Sequence, residues 1–297
     1  MNAHFSIYTR FTHTPYVTMH TNWTTIAMFT LYHINTMNTF CISYPHIYTM
    51  LFNILYIIHR VIYFKVFLYC ILTMDLKLGC VFNGKYNVFI IENDEYIGPT
   101  IAHNIEWDGW MRDDISNYYK EGTDILDIGA NIGYNSLMFS DYGPVVSFEP
   151  VYHDIVVKNA RQNAILHSIN IFPCALSNEK KREIIYIPSH GCQSNAQINY
   201  GGTSFHMTED MKGVGIEVPC CRLDDIYKGV PSIIKIDVEG HELQVLEGAQ
   251  ETIKKHKPTL MVEIHDYQNN PVVKLIESMG YGTPEERPEA MFIYTSF

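Results

Sequence analysis

The sequence predicts an α/β fold, a mostly parallel β-sheet with helices on both faces. Three observations point to it. From residue 108 to the C terminus, short apolar runs alternate with helical stretches. A glycine turn, Gly129-Ala-Asn-Ile-Gly133, stands between one apolar run and the helix after it. Acidic residues close several of the runs, Glu149, Asp237 and Glu263 among them, and sheets of this kind bind ligands beyond the carboxyl ends of their strands.

Residues 108–121 read as a helix stopped by Gly122. Asp124–Ile128 is a short apolar strand, followed by the glycine turn and a helical run through Ser140. Val145–Glu149 is a second strand, 153–167 a helix, and Asn170–Cys174 a third strand. Residues 178–220 break the rhythm. Glu183–Ile187 and Ile216–Cys220 read as strands on either side of a polar loop that holds Asn195, Asn199, Gly201, Gly202, Thr203, Ser204 and His206. Loops of this length are uncommon unless functional, so it is either a substrate loop or a flexible surface connection. The rhythm resumes with a strand Ile233–Asp237, a helix Glu242–Lys255 and a strand Thr259–Ile264. A helix Val272–Met279, ended by Gly280, and a last strand Met291–Thr295 complete it.

The chain has 297 residues, enough for one domain and an extension, and its 47% apolar content can fill a sizeable core. A net charge of −11 argues against a nucleic-acid partner, which needs clustered Lys and Arg, and for a small molecule, a sugar or a protein. The seven cysteines form no C-x-x-C pair. They read as reduced packing residues, and the expected compartment is the cytoplasm. Cys220 and Cys221, adjacent on a strand, would face opposite sides.

Residues 1–73 stand apart. They contain no Asp or Glu, and Arg10, Arg60 and Lys65 are their only full charges. The boundary is drawn there, with an atypical extension over 1–73 and the α/β domain over 74–297. Ile47–Met74 is strongly apolar, yet Arg60 and Lys65 interrupt it near the middle. Each such charge costs roughly 2.5–3.5 kcal/mol at a bilayer centre. Residues 47–74 are therefore a poor membrane anchor, a membrane-surface helix or an apolar cap, and they do not resemble a signal peptide. The thirteen-residue recurrence of His20, His33, His46 and His59 has nothing converging with it and reads as chance. For the whole segment the alternative is an upstream extension without a fold of its own, with Met74 as the start.

The glycines of the turn let the backbone approach a ligand closely, and the helix after it offers free N–H groups. A dinucleotide fingerprint would read G-x-G-x-x-G. Here the spacing is G-x-x-x-G, preceded by Asp127. A carboxylate at that place suits a cationic amino-acid ligand better than a pyrophosphate. Glu149 can accept two ribose hydroxyls with its two oxygens. An aminoacyl nucleoside with a sulfonium charge fits both.

Four stretches resemble the FkbM-like family of class I S-adenosylmethionine-dependent methyltransferases: Asp124–Tyr134 (DILDIGANIGY), Val146–Pro150 (VSFEP), Ile233–Gly248 (IIKIDVEGHELQVLEG) and Pro258–His265 (PTLMVEIH). Cys174–Ser177 and Arg222–Ile226 echo it more weakly. The resemblance implies a Rossmann-like, seven-stranded sheet with an antiparallel last strand, S-adenosylmethionine as cofactor, and O-methylation of sugars, polyketides and similar hydroxyl compounds. It implies that Asp127, Gly129, Asn131 and Gly133 line the methionine and ribose, that Glu149 holds the ribose hydroxyls, and that Ala175 flanks the adenine.

Methyl transfer to oxygen needs an aligned acceptor and a group to take its proton. The candidates are Asp237 and His241 after the fourth strand of the predicted sheet, and Glu263 and His265 at the end of the fifth. Glu263 and His265, two apart, share a side. Asp237, Glu263 and His265 could also hold a divalent metal, but nothing in the spacing requires one and no metal ligand is assigned. Other readings stay open. Glu239 and Glu242 could simply cap the next helix, His265 could be structural, the acceptor could be a protein or nucleic acid, and the domain could be a non-catalytic cofactor-binding module.

Overall fold

Five apolar strands set the frame of the domain: β3 (Asp124–Ile128), β4 (Val145–Phe148), β5 (Ile169–Phe172), β9 (Pro231–Ile236) and β10 (Thr259–Glu263). They run parallel in the order β5-β4-β3-β9-β10. Beyond β10 come β12 (Met291–Tyr294) and the two-residue β11 (Glu285–Glu286), which complete a seven-stranded sheet. In it β12 runs antiparallel to both of its neighbours. The chain is described by a computed structural model over residues 77–189, 197–206 and 213–296. The readings made for residues 1–73 and 47–74, and for Asn195, lie outside these. From Leu76 on the chain forms one compact unit. Among the described residues no helix is long and apolar enough to cross a membrane.

Strands buried on both faces read as continuous apolar runs, and the alternation of side chains sorts them. Leu126, Ile128, Phe148, Ile234, Ile236, Leu260 and Val262 share one core. The helices α6 (Glu242–Glu247), α7 (Gln250–His256) and α8 (Pro271–Ser278) pack into it through Val245, Leu246, Ile253, Val273 and Ile276. The opposite face carries an exception to its apolar surroundings. Ser147, Asp127 and Lys235 are neighbours in register across β4, β3 and β9, and all three are buried.

Two helices are shorter than the sequence reading. The one expected over 242–255 breaks at Gly248. There the carbonyl accepts from the Asp224 N–H at 3.0 Å instead of continuing the helix. Asp224, on α5 (Leu223–Ile226), then caps α7 from outside: its carboxylate accepts from the N–H groups of Glu251 and Thr252 at 3.0 and 2.9 Å. The helix expected over 153–167 is α4, His153–Gln162. It ends where Ala164 turns left-handed (φ 57°).

Before β3, the helix expected over 108–121 is α2 (Met111–Tyr118), and the stretch ahead of it, which the sequence reading left without elements, holds the helix α1 (Ile97–Ala102) and a hairpin of β1 (Leu78–Asn83) and β2 (Tyr86–Ile91). The dipeptide Asn83-Gly84 at its turn is a strong hairpin signal. Asn159 of α4 and Asn163 just after it pair with β2 as a strand would. The Asn159 and Asn163 amide oxygens accept from the N–H groups of Phe89 and Asn87 at 2.6 and 2.9 Å, and their NH2 groups donate to the same residues' carbonyls.

The stretch that breaks the rhythm forms a separate small sheet in the order β6-β8-β7, from Ala175–Leu176, Gly213–Cys221 and Lys181–Pro188. Cys220 packs inside it while Cys221 packs against the main core, as opposite-facing neighbours must. Cys80, Cys174, Cys220 and Cys221 are free thiols.

Candidate functional site

A cleft opens at the carboxyl ends of β3, β4, β9 and β10. The turn after β3 forms its floor. Gly129, Asn131 and Gly133 all have left-handed backbones (φ 82°, 52° and 83°). A Cβ on Gly129 would lie 1.8 Å from the carbonyl oxygen of Asp237. The turn after β3 and the turn after β9 therefore touch backbone to backbone. α3 (Tyr134–Phe139) follows directly.

Glu149 faces this turn and is 5% exposed. Oε2 accepts from the Asn131 N–H at 2.8 Å, and Oε1 from those of Val151 and Tyr152 at 2.8 and 3.0 Å. Burial pushes its carboxyl above the usual range against the pull of these three bonds. A carboxylate anchored this way keeps lone pairs for hydroxyl donors in the cleft.

Lys235 lies behind the floor, 2% exposed. Its ammonium stands 3.1 Å from Asp237 Oδ2 and 3.5 Å from Asp127 Oδ1, and it donates to the Gly129 carbonyl at 3.3 Å. Burial alone would lower its pKa, but the carboxylates of Asp237 and Asp127 outweigh that and raise it. Sequence reasoning missed this residue. The signal was present: a lone charge inside the apolar strand IIKI, which must find a partner.

Carboxylates collect around Asp237. Glu239, with a left-handed backbone (φ 54°), is pushed up to about 7 by burial and by Asp237. Glu263 is pushed up to about 9, first by burial and then by Asp237 and Glu239. Glu289 is raised to about 7 by burial and by Asp108 beside it. His265 Nε2 is 3.3 Å from Glu263 Oε1. Glu242 does not cap the helix it begins but braces the turn before it: its Oε1 accepts from the N–H groups of Val238 and Gly240 at 3.3 and 3.0 Å.

The structure sorts the residues singled out from sequence. Gly129, Asn131, Glu149, Ala175, Asp237, His241 and Glu263 line the cleft. Asp127 does not, because it is fully buried, accepting from Ser136 Oγ at 2.5 Å and facing Lys235. Gly133 also lies outside the lining; its place is against Val156 of α4, where a Cβ would come within 2.8 Å. His265 is mostly exposed at the rim. His241 departs most from expectation. Its ring is buried, Nε2 is 3.0 Å from Ser177 Oγ, and it packs at a tilt against the Phe205 ring, the centroids 4.4 Å apart. Burial pushes its pKa down to about 4. Burial thus disfavours its charged form, and the ring stands in the wall of the cleft between Ser177 and Phe205.

The polar loop closes one side of the cleft through Gly201, Thr203 and Phe205. Ser204 Oγ donates to the Glu239 carbonyl at 2.6 Å, and His206 Nε2 is 3.2 Å from the Gly240 carbonyl. Tyr96, Trp107 and Asn135 also line the cleft, from segments in which sequence reasoning placed no site residue.

Two ends of the cleft differ in chemistry. Ala175, Leu176, Ile185 and Phe205 make an apolar slot. Asp237, Glu239, Glu263 and Glu289 make an acidic end, with Lys235 as the sole Lys or Arg of the lining. A ligand with a flat apolar base, a ribose and a cationic end matches this set. Fold and cleft together define a class I methyltransferase that uses S-adenosylmethionine. Residues 127–282 match the methyltransferase FkbM domain, and the chain belongs to that family.

Among known proteins, methyltransferase sdnD of Sordaria araneosa is 26% identical over 196 residues, 56% of this chain and 76% of that protein. The crystal structure of a methyltransferase FkbM from Methylobacillus flagellatus is 18% identical with a TM-score of 0.42. The match covers 61% of this chain and 47% of that one, so the chain spans about half the length of that structure. A Pyrococcus abyssi tRNA (uracil-54, C5)-methyltransferase in complex with S-adenosyl-L-homocysteine is 8% identical with a TM-score of 0.38, covering 74% of this chain and 43% of that one.

Proposed function

We propose that the domain over residues 74–297 transfers a methyl group from S-adenosylmethionine to a hydroxyl oxygen of a carbohydrate or related small molecule, in the cytoplasm. The observation that supports this reading is the set of candidate bases at the acidic end of the cleft, where Asp237 lines the wall and His265 stands at the rim, 3.3 Å from Glu263. An alcohol must lose its proton as it is methylated, and a base within reach is what that chemistry requires. S-adenosylmethionine, when bound, supplies a sulfonium methyl, so that the acceptor oxygen forms a C–O bond while the C–S bond breaks and its electron pair stays on sulfur.

In this reading Glu149 accepts the ribose hydroxyls, Gly129 and Asn131 lie along the methionine and ribose, and Ala175 flanks the adenine in the apolar slot. Asp127 and Gly133 act from behind the wall by holding its shape. Asp237 and His265 take the proton of the acceptor, and Glu263, held protonated by burial and by its acidic neighbours, helps to orient it. The net charge of −11 disfavours a nucleic-acid acceptor.

Glu149→Ala is expected to weaken S-adenosylmethionine binding at least tenfold, about 1.4 kcal/mol, read by calorimetric titration. Unchanged affinity would discredit the ribose assignment. The activity itself is tested with S-adenosylmethionine labelled in its methyl group and a panel of glycans and hydroxyl compounds. A methyl ether in the product, formed in step with S-adenosylhomocysteine, is the expected result. Label found only on nitrogen, carbon or added protein would remove the hydroxyl reading.

A further inference from the structure

Glu239, Glu263 and His265 each place a ligand atom within 4.8 Å of the others. Two different strand ends supply them: Glu263 closes β10 with His265 two residues on, and Glu239 sits in the turn after β9. The set is mixed, two carboxylates and an imidazole. Asp237 has Lys235 at 3.1 Å, but among the described residues no Lys or Arg comes within ion-pair distance of Glu239 or Glu263. Independently, Oε2 of Glu263 is sealed from solvent and has no hydrogen-bond partner. A buried carboxylate oxygen without a partner is costly, and a cation would supply one.

We propose that these three side chains bind a divalent cation at the rim of the cleft. Ligand atoms held ~2.0–2.2 Å from one ion stand up to about 4.4 Å apart, so small side-chain adjustments close the set. Carboxylate oxygens favour Mg2+ and Mn2+ while an imidazole favours the later transition ions, and Mn2+ satisfies both. The set differs from the one expected from sequence, because Asp237 is held by Lys235 and Glu239 takes its place. Three protein ligands leave positions open toward the cleft. The role of the ion there, binding the acceptor hydroxyl and making it more acidic, rests on the transferase reading. Glu263 and His265 then act as ligands, and the proton of the hydroxyl leaves through Asp237 or water.

The test is calorimetric titration of the full chain with Mn2+, after removal of metals by a chelator. One ion per chain is expected, with micromolar affinity. Glu239→Gln and His265→Ala should each weaken it by at least about tenfold while the thermal unfolding midpoint of the metal-free protein, which reports the fold, stays close to that of the parent. No saturable binding up to millimolar Mn2+, or binding that neither substitution changes, would overturn the proposal. Hydroxyl methylation that persists in the chelated protein would also remove the ion, and would leave the transferase reading standing.

Discussion

Gly129→Ala is expected to abolish measurable S-adenosylmethionine binding and to destabilise the domain by at least about 3 kcal/mol. Two penalties add at this position. The backbone is left-handed (φ 82°), which costs a residue with a Cβ about 1 kcal/mol. The new carbon would also stand 1.8 Å from the Asp237 carbonyl oxygen, so the ends of β3 and β9 must separate. That displacement reaches the Gly129 carbonyl held by Lys235 at 3.3 Å and the Asp237 N–H that donates to Ile128 at 3.1 Å. Gly122→Ala separates the two penalties. Gly122 has nearly the same backbone angle (φ 80°) but open space where the Cβ would go. It should lose only about 1 kcal/mol and keep the cofactor affinity of the parent. Thermal unfolding and calorimetric titration of both variants read the difference. Cofactor affinity in Gly129→Ala within about threefold of the parent would mean that the two turns are not coupled as the contact requires.

Much of this domain could be read from local chemistry. The five parallel strands announce themselves as apolar runs, the glycine turn by its spacing, and Glu149, Asp237 and Glu263 by closing strands that are otherwise apolar. The parts that escaped depend on contacts between distant segments. Gly248 is only a weak break signal inside 242–255, and the cap that stabilises the second helix comes from outside the stretch, from Asp224. His241 reads as a base from its pKa alone. Only the fold shows it closed in between Ser177 and Phe205. Asp127 reads as a ligand-facing acid until the register of β3 with β9 sets it opposite Lys235. Glu239 and Glu242 read as capping residues, yet Glu242 braces the turn before its helix and Glu239 lines the cleft. The hairpin before β3 is a different case, since its Asn83-Gly84 turn signal is local and was there to be read.

Lys235→Met should cost about 3–5 kcal/mol of stability, the amount set by leaving buried charge without its partner. Methionine nearly preserves the volume and the unbranched shape, so packing contributes little to the loss. The charge contributes most. Asp127 is fully buried, with Ser136 Oγ as its hydrogen-bond donor and Lys235 as its counter-ion. Asp237 is 29% exposed on its side chain and can recover water. The cost therefore falls chiefly on Asp127. This makes a second variant decisive. Adding Asp127→Asn to Lys235→Met removes the orphaned charge and should restore a substantial part of the stability, although Asp127→Asn alone is destabilising. Coupling of this sign between directly paired residues runs to about 0.5–3 kcal/mol, readable by denaturant unfolding of the four proteins in the cycle. The restored fold should still bind S-adenosylmethionine more weakly than the parent, because the ammonium that joined Gly129 to Asp237 is gone. A single variant within about 1 kcal/mol of the parent, or a double variant no more stable than Lys235→Met, would show that the buried row across β3 and β9 is not held together by this charge.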